Sequence, residues 1–144
     1  MLVSRGCSIT EMRMKPSIKD ALSDNDLTYF TYSREAIAEI FRINQICEGD
    51  EVLLPDYLCS TVIESILPFT KKIAFYNIDH GLKHKHSEIS NLLTSETKLI
   101  FFVDFFGVET QLDNSLQDLL KSQKIIIVKD ASHSFLSLAN RQFG

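Results

Sequence analysis

The sequence has 144 residues, 44% hydrophobic and 24% charged, so it can form one compact domain and does not belong to the disordered or fibrous classes. Its 15 basic and 19 acidic residues give a net charge of −4, which argues against a nucleic-acid-binding surface. The three cysteines are widely spaced, and no apolar segment suits a signal peptide or a membrane span, so we expect a cytoplasmic protein without a disulfide framework, a zinc site or membrane contact.

The first predicted helix follows a segment with weak periodicity. Residues 1–30 carry no clear pattern and are predicted to be an irregular lead-in to the domain. Apolar residues at helical spacing then predict a helix over residues 34–47, with Ser33 as its N-cap and Gly49 closing its C-terminal end.

The remaining elements alternate between strand and helix. Strands are predicted at residues 51–54, 73–76, 99–103 and 125–128, and helices at residues 57–67, 87–93 and 112–120. Such alternation implies parallel strands joined by right-handed crossovers. The predicted fold class is therefore α/β, with a mainly parallel sheet and helices on both of its faces.

Two polar residues, Asp130 and His133, follow the last predicted strand. The carboxyl edge of an open α/β sheet is where ligands bind, so both side chains are candidate ligand contacts. An aspartate there can hold a cationic ring nitrogen, and a histidine one helical turn further on can reach the same ring. Alternatively, Asp130 caps the following turn and His133 is solvated.

Two further segments are candidate binding sites. The start of the first helix, at Ser33 and Arg34, offers free backbone N–H groups that can hold a phosphate, or it is an ordinary surface helix. After the first strand, Tyr57 can stack on a planar ligand. The alternative makes Tyr57 an edge-packing aromatic and Cys59 a small buried hydrophobe.

Three histidines, His80, His84 and His86, lie close together in a charged segment. Histidine clusters can bind metals, but no carboxylate pattern converges on this one. We therefore predict a solvated loop.

Asp104 and Gly107 follow the third predicted strand. Gly107 is expected to allow a tight turn, which Asp104 would cap. A phospho-acceptor aspartate of a response-regulator receiver is the alternative, but receivers place an acidic pair after their first strand, and this chain has none there.

The order of these motifs resembles the PLP-dependent sugar aminotransferases of the DegT/DnrJ/StrS type, which have the aspartate-aminotransferase-like fold. The resemblance runs from about Thr31 to Gly144. The motifs that carry it are Ser33-Arg34-x-Ala36, Gly49-Asp50-Glu51-Val52-Leu53-Leu54-Pro55-x-Tyr57-x-Cys59, Phe75-Tyr76-x-x-Asp79, Thr97-Lys98-Leu99-Ile100, Asp104-x-x-Gly107 and Asp130-Ala131-x-His133.

The resemblance implies pyridoxal 5'-phosphate (PLP) as cofactor and assigns roles to seven residues. The helix start, at Ser33, Arg34 and Glu35, matches the turn whose main-chain N–H groups hold the PLP phosphate. Asp130 matches the residue at the pyridine nitrogen, and His133 matches the residue at the phenolic oxygen. The residue that stacks on the ring is matched by Cys59 or Tyr57.

The sequence also departs from the family pattern. Ser33 stands where the family usually has glycine, and the family's Schiff-base lysine lies beyond Gly144. Lys129 precedes Asp130 by one residue, so strand alternation should point it away from the site. We therefore expect residues 31–144 to be a partial PLP-binding large domain that ends before the lysine.

The function that the resemblance implies belongs to the longer family members. These transfer an amino group from an amino-acid donor to a keto-sugar nucleotide in sugar or polysaccharide biosynthesis, as homodimers. We expect this N-terminal part to be inactive alone. The alternatives are a non-catalytic PLP-, phosphate- or partner-binding α/β module, and an unrelated flavodoxin-like or receiver-like domain.

Overall fold

The computed structural model describes residues 28 and 30–134, so nearly all of the predicted lead-in lies outside the described residues. Four helices and four strands alternate along the described chain. The helices are α1 (Ser33–Ile43), α2 (Ser60–Ile66), α3 (His86–Leu92) and α4 (Asn114–Ser122), and the strands are β1 (Glu51–Pro55), β2 (Ile73–Tyr76), β3 (Thr97–Val103) and β4 (Ile126–Asp130). Two short 3-10 turns, Phe105–Gly107 and Ser132–Ser134, follow β3 and β4.

The four strands form one parallel sheet in the order β2-β1-β3-β4. This confirms the predicted α/β class. After β1 the chain adds β2 on one side of β1 and then β3 on the other side. The connections therefore change direction between β1 and β3. In open α/β sheets, ligands bind at the carboxyl ends of the strands beside such a switch point. The same strand order occurs in flavodoxin-like folds, so the order alone does not separate these alternatives.

The helices cover both faces of the sheet, as predicted. Because side chains alternate along a strand, Leu99 and Phe101 of β3 pack on one face and Ile100 and Phe102 on the other. The first face carries α1 and α2 and is called face 1, and the second carries α3 and α4 and is called face 2. The helical residues in these two cores are Ile37, Ile40, Phe41 and Ile66 on face 1, and Ile89, Leu116 and Leu120 on face 2.

The predicted ends of the first helix are wrong. Tyr32, and not Ser33, is the N-cap, and the helix ends at Ile43, well before Gly49. Gln45 adopts a left-handed backbone with φ of 55°, and the amide of Ile46 donates to the Phe41 carbonyl at 3.0 Å. This bond and the left-handed backbone of Gln45 form a Schellman motif, which ends the helix without the glycine on which the prediction relied.

Helix α4 ends in the same way. Lys124 has φ of 57°, and the Ile125 amide donates to the Leu120 carbonyl at 2.9 Å. Ile125 and Leu120 also pack together in the face 2 core, which is the apolar contact that commonly accompanies this motif. Among the described residues, no helix is long and apolar enough to cross a membrane.

Candidate functional site

Asp130 is the last residue of β4 and lies at the carboxyl edge of the sheet. Asp130 pairs with Val103, and Val128, two residues earlier, pairs with Phe101. Because side chains alternate along a strand, Asp130 lies on the same side as Val128, which is face 1, the face that α1 and α2 cover. The residue is 7% exposed, and its Oδ1 accepts a hydrogen bond from the Ser132 amide at 2.9 Å. Asp130 therefore supports the turn that follows it and also lies at the carboxyl edge of the sheet.

His133 lies in that turn and is exposed. Its ring stacks on Phe106, with centroids 5.3 Å apart and planes inclined by 26°. Phe106 has a left-handed backbone with φ of 49° and is 68% exposed, and Gly107 has φ of 87°. The tight turn predicted at Gly107 is confirmed, and it turns Phe106 outward beneath His133.

Tyr57 lies in the same row of rings. It is 56% exposed, and its centroid lies 5.4 Å from that of Phe105. The Phe105 ring lies in turn 6.3 Å from His133. Because Tyr57 follows β1, Phe105 follows β3 and His133 follows β4, the row crosses the carboxyl edge at the switch point. Phe105 and Phe106 were not predicted to belong to the site, because their only signal in the sequence is that two aromatic residues follow a buried strand.

Cys59 is exposed, so its interpretation as a buried hydrophobe is wrong. It is the N-cap of α2, and its Sγ lies 3.1 Å from Thr61 Oγ1. This contact and a backbone hydrogen bond to Thr61 lower the pKa of the Cys59 thiol. The structure thus offers Tyr57 as an aromatic surface and Cys59 as a polar thiol.

The candidate phosphate-binding turn is the first turn of α1. The Glu35 carboxylate accepts hydrogen bonds from the amides of Thr31 and Tyr32 at 3.1 and 3.2 Å, and the Glu35 amide donates to the Tyr32 carbonyl at 3.0 Å. The Arg34 guanidinium lies 4.0 Å above the Tyr32 ring. Glu35 therefore organises the turn, whereas the amides of Ser33 and Arg34 lie at the helix start, where no intrahelical acceptor exists.

Lys129 points away from Asp130, as strand alternation predicts. Its Nζ lies 3.3 Å from Asp104 Oδ2 and 3.2 Å from Glu109 Oε1, on face 2. The Asp104 side chain is only 2% exposed, which gives little support to the receiver interpretation, since a phospho-acceptor must be accessible. Lys129 serves this ion pair and does not reach the face on which Asp130 lies.

The solvated loop predicted for the three histidines is wrong for His84 and His86. The His84 ring packs 5.2 Å from Phe102, and its Nε2 is buried without a hydrogen-bond partner among the described residues. His86, the first residue of α3, contacts the segment that leads into α4, with Nδ1 2.5 Å from Asp113 Oδ2 and Nε2 3.0 Å from the Gln111 carbonyl. No group of three metal-binding side chains occurs in the described part of the chain.

Asp79, one of the motif residues, holds a turn. Its Oδ1 accepts hydrogen bonds from the amides of Gly81 and Lys83 at 2.8 and 3.0 Å. The Lys83 amide contributes most to lowering the pKa of the Asp79 carboxyl. An open cleft of about 360 Å³ lies between this turn and Tyr57. The cleft borders the aromatic row at the β1 end of the edge.

Comparisons with known proteins agree with this architecture. The model of the DegT/DnrJ/EryC1/StrS aminotransferase family matches residues 33–144, whereas no curated protein sequence matches. Among solved structures, the fold is similar to a DegT DnrJ EryC1 StrS aminotransferase from Brucella abortus, with a TM-score of 0.70 and 16% identity over 84% of this chain and 36% of that one.

Two further structures show the same fold. One is a putative sugar aminotransferase, Spr1654 from Streptococcus pneumoniae, in its PMP form, with a TM-score of 0.59 and 19% identity over 71% of this chain and 30% of that one. The other is S. venezuelae DesV in complex with a ketimine intermediate, with a TM-score of 0.59 and 18% identity over 70% and 28% of the two chains. This chain thus spans about a third of the length of these structures. With most of its sequence matched by the family model, the chain belongs to the DegT/DnrJ/EryC1/StrS aminotransferase family.

Proposed function

We propose that this chain forms the part of a PLP-dependent sugar aminotransferase that holds the cofactor's phosphate and ring nitrogen. The observation that carries the proposal is the position of Asp130. It ends β4 at the carboxyl edge of the sheet, on the face covered by α1, the helix whose first turn carries Ser33 and Arg34.

Asp130 would hold the cofactor by its ring nitrogen. One oxygen of its carboxylate already accepts the Ser132 amide, which fixes the orientation of the group. A carboxylate beside a pyridine nitrogen keeps that nitrogen protonated by charge pairing. When bound, PLP supplies an electron-withdrawing ring that stabilises negative charge on the substrate carbon.

The amides of Ser33 and Arg34 would hold the phosphate. The N-terminus of α1 has unpaired N–H groups and a partial positive charge, which together favour an anion. Glu35 orders this turn by accepting the Thr31 and Tyr32 amides, and we therefore assign it the positioning of the turn more than contact with the phosphate.

Tyr57 would provide the surface on which the ring stacks, and His133 would approach the ring's phenolic oxygen. The aromatic contact of Tyr57 with Phe105, and of Phe105 with His133, supports this pairing. Cys59, which takes the stacking position by strict spacing, directs its thiol to Thr61. Tyr57 is therefore the better candidate of the two.

The substrates proposed for the whole enzyme are an amino-acid donor and a keto-sugar nucleotide, and the proposed assembly is a homodimer. We expect that residues 1–144 by themselves do not transfer the amino group, because Lys129, the lysine next to Asp130, is engaged on the opposite face by Asp104. The exposed free thiols of Cys47 and Cys59 support a reducing, cytoplasmic location.

Binding of pyridoxamine 5'-phosphate tests the proposal, because this fluorescent form of the cofactor requires no lysine. Fluorescence anisotropy should show saturable binding to the purified chain, and Asp130→Asn should weaken it by about ten- to a hundredfold. Asp118→Asn, an exposed aspartate on α4, is the matched control and should bind like the parent. Equal affinity of the Asp130 and Asp118 variants, or no binding by the parent chain, would refute the assignment.

A second measurement tests the inactivity of the chain. Glutamate, PLP and a keto-sugar nucleotide should yield no amino sugar above the level of a reaction without protein. Product formed by the purified chain would contradict the proposal that the catalytic lysine lies outside it.

A non-catalytic partner-binding module is the second candidate. The two edge strands of the described sheet carry exposed apolar residues, Phe75 at 46% on β2 and Ile127 at 40% on β4. Sheet edges of this kind associate with other chains. A monomer by light scattering at high protein concentration would count against this function.

A further inference from the structure

We infer that Asp104 is a positioning residue, which fixes the places of Asp130 and His133 without touching the ligand. The inference rests on the proposed function of those two residues. Asp104 follows β3 directly and precedes Phe105, one of the rings of the aromatic row. Its side chain is almost completely buried, although it carries a carboxylate, so it needs specific partners.

The main chain of Asp104 holds both ends of the segment that carries His133. Its amide donates to the Asp130 carbonyl at 2.9 Å, and its carbonyl accepts from the Ser134 hydroxyl at 2.8 Å. The Ser134 amide in turn donates to the Ala131 carbonyl at 2.9 Å. The five-residue segment from Asp130 to Ser134 is therefore attached to Asp104 at its beginning and at its end.

The carboxylate of Asp104 connects the loop after β3 to strand β4. Oδ1 accepts the Thr110 amide at 2.8 Å, and Oδ2 lies 3.3 Å from Lys129 Nζ. The Thr110 hydroxyl also donates to the Val103 carbonyl at 3.0 Å. The loop closed in this way contains Phe105 and Phe106, the two rings that contact His133.

Strand alternation excludes direct contact of Asp104 with a cofactor at Asp130. Asp104 and Lys129 belong to face 2, whereas Asp130 belongs to face 1. The effect of Asp104 on the site must therefore pass through the backbone of β4 and through the loop after β3. The two carboxylate oxygens of Asp104 hold the loop and β4 at once, because one accepts from Thr110 and the other contacts Lys129. An apolar side chain cannot do this.

Two substitutions separate the carboxylate from the ion pair. Asp104→Asn keeps an oxygen for the Thr110 amide but presents an uncharged group to Lys129, and Lys129→Met removes the cation while keeping an apolar stem. Lys98→Met, an exposed lysine on β3, is the matched control. Because Lys129→Met leaves Asp104 intact, it keeps the test decisive if Asp104→Asn does not fold.

The first readout is structural and needs no ligand. NMR should show that both test variants change the ring-current shift of the His133 protons over Phe106 and lose hydrogen-exchange protection at the Ser132 and Ser134 amides. Protection of β1 amides such as Leu53 should stay at the parent level, and Lys98→Met should change none of these signals. Unchanged His133 and Ser134 signals, or a uniform loss of protection across the sheet, would overturn the positioning role.

The second readout is the affinity for pyridoxamine 5'-phosphate, which should fall about three- to thirtyfold in the test variants and not in Lys98→Met. Parent-like affinity in Asp104→Asn together with displaced His133 signals would overturn the link to the site. If the parent chain does not bind the probe, the proposed function fails, and the NMR comparison still decides whether Asp104 positions His133.

Discussion

Replacing Phe41 by alanine tests how firmly α1 is held on the sheet. The Phe41 ring is fully buried, with its centroid 5.4 Å from that of Phe69 and 6.4 Å from that of Phe101 on β3. Truncating a buried phenylalanine removes its favourable transfer and leaves a cavity, which together cost about 3–5 kcal/mol of unfolding free energy. A domain has only about 5–15 kcal/mol in all, so Phe41→Ala should remove a large part of it.

Urea unfolding followed by far-UV circular dichroism measures this loss as a lower midpoint at an unchanged slope. Ile43→Ala is the matched control, because Ile43 belongs to the same helix but is 47% exposed. Its effect should stay within about 0.5 kcal/mol. A loss below about 1 kcal/mol for Phe41→Ala would refute the packing described for α1, since a buried ring cannot be removed so cheaply.

Three smaller changes test other parts of the fold. Burial lowers the pKa of His84 below 6.5, and the charge of His86 lowers it further. The contribution of His84 to stability is therefore present above pH 6.5 and is lost as the pH falls through the folded-state pKa. Urea midpoints measured from pH 7.5 to 5 should therefore fall less steeply in His84→Phe than in the parent, and parallel curves would contradict this. Tyr76→Phe should cost about 1 kcal/mol, because the buried hydroxyl donates to the Phe101 carbonyl at 2.7 Å, and no midpoint shift would refute that bond. Lys124→Gly should stabilise by about 0.5–1 kcal/mol, because glycine accepts its positive φ without strain, and a lower midpoint would contradict the C-terminal motif of α4.

The sequence predicts the sheet well because its central strands are continuous apolar segments. Residues 99–103 are buried throughout, as a strand covered on both faces must be. The alternation of strands with amphipathic helices then leaves few ways to connect them, so the α/β class follows from local patterns alone.

The helix ends could not be predicted with the same rules. Those rules assign the end of a helix to glycine, whereas Gln45 and Lys124 adopt the left-handed backbone here. Tertiary contacts outweigh the local preference, because Ile46 and Ile125, which follow these residues, each become buried in a core. Only the packed structure shows that these contacts exist.

The sequence names candidate residues for the site but not their geometry. The sequence places Asp130 and His133 beyond a strand, and the resemblance to a family gives them roles. That His133 lies against Phe106, and Tyr57 against Phe105, depends on which strands are neighbours and on the left-handed turn at Phe106. Neither fact is visible in a linear pattern, since two aromatic residues after a strand are equally typical of a buried core.

The two faces of the sheet contribute differently to the candidate site at this edge. Asp130 and helix α1 lie with face 1, whereas the buried carboxylate of Asp104 and its Lys129 partner lie with face 2. A side chain on one face can influence the other only by moving the backbone between them, because successive residues of a strand point to opposite sides. Substitutions on face 1 should therefore change ligand contacts directly. Substitutions at Lys129 should change them only indirectly, through the backbone of β4 and through the loop after β3 that Asp104 holds.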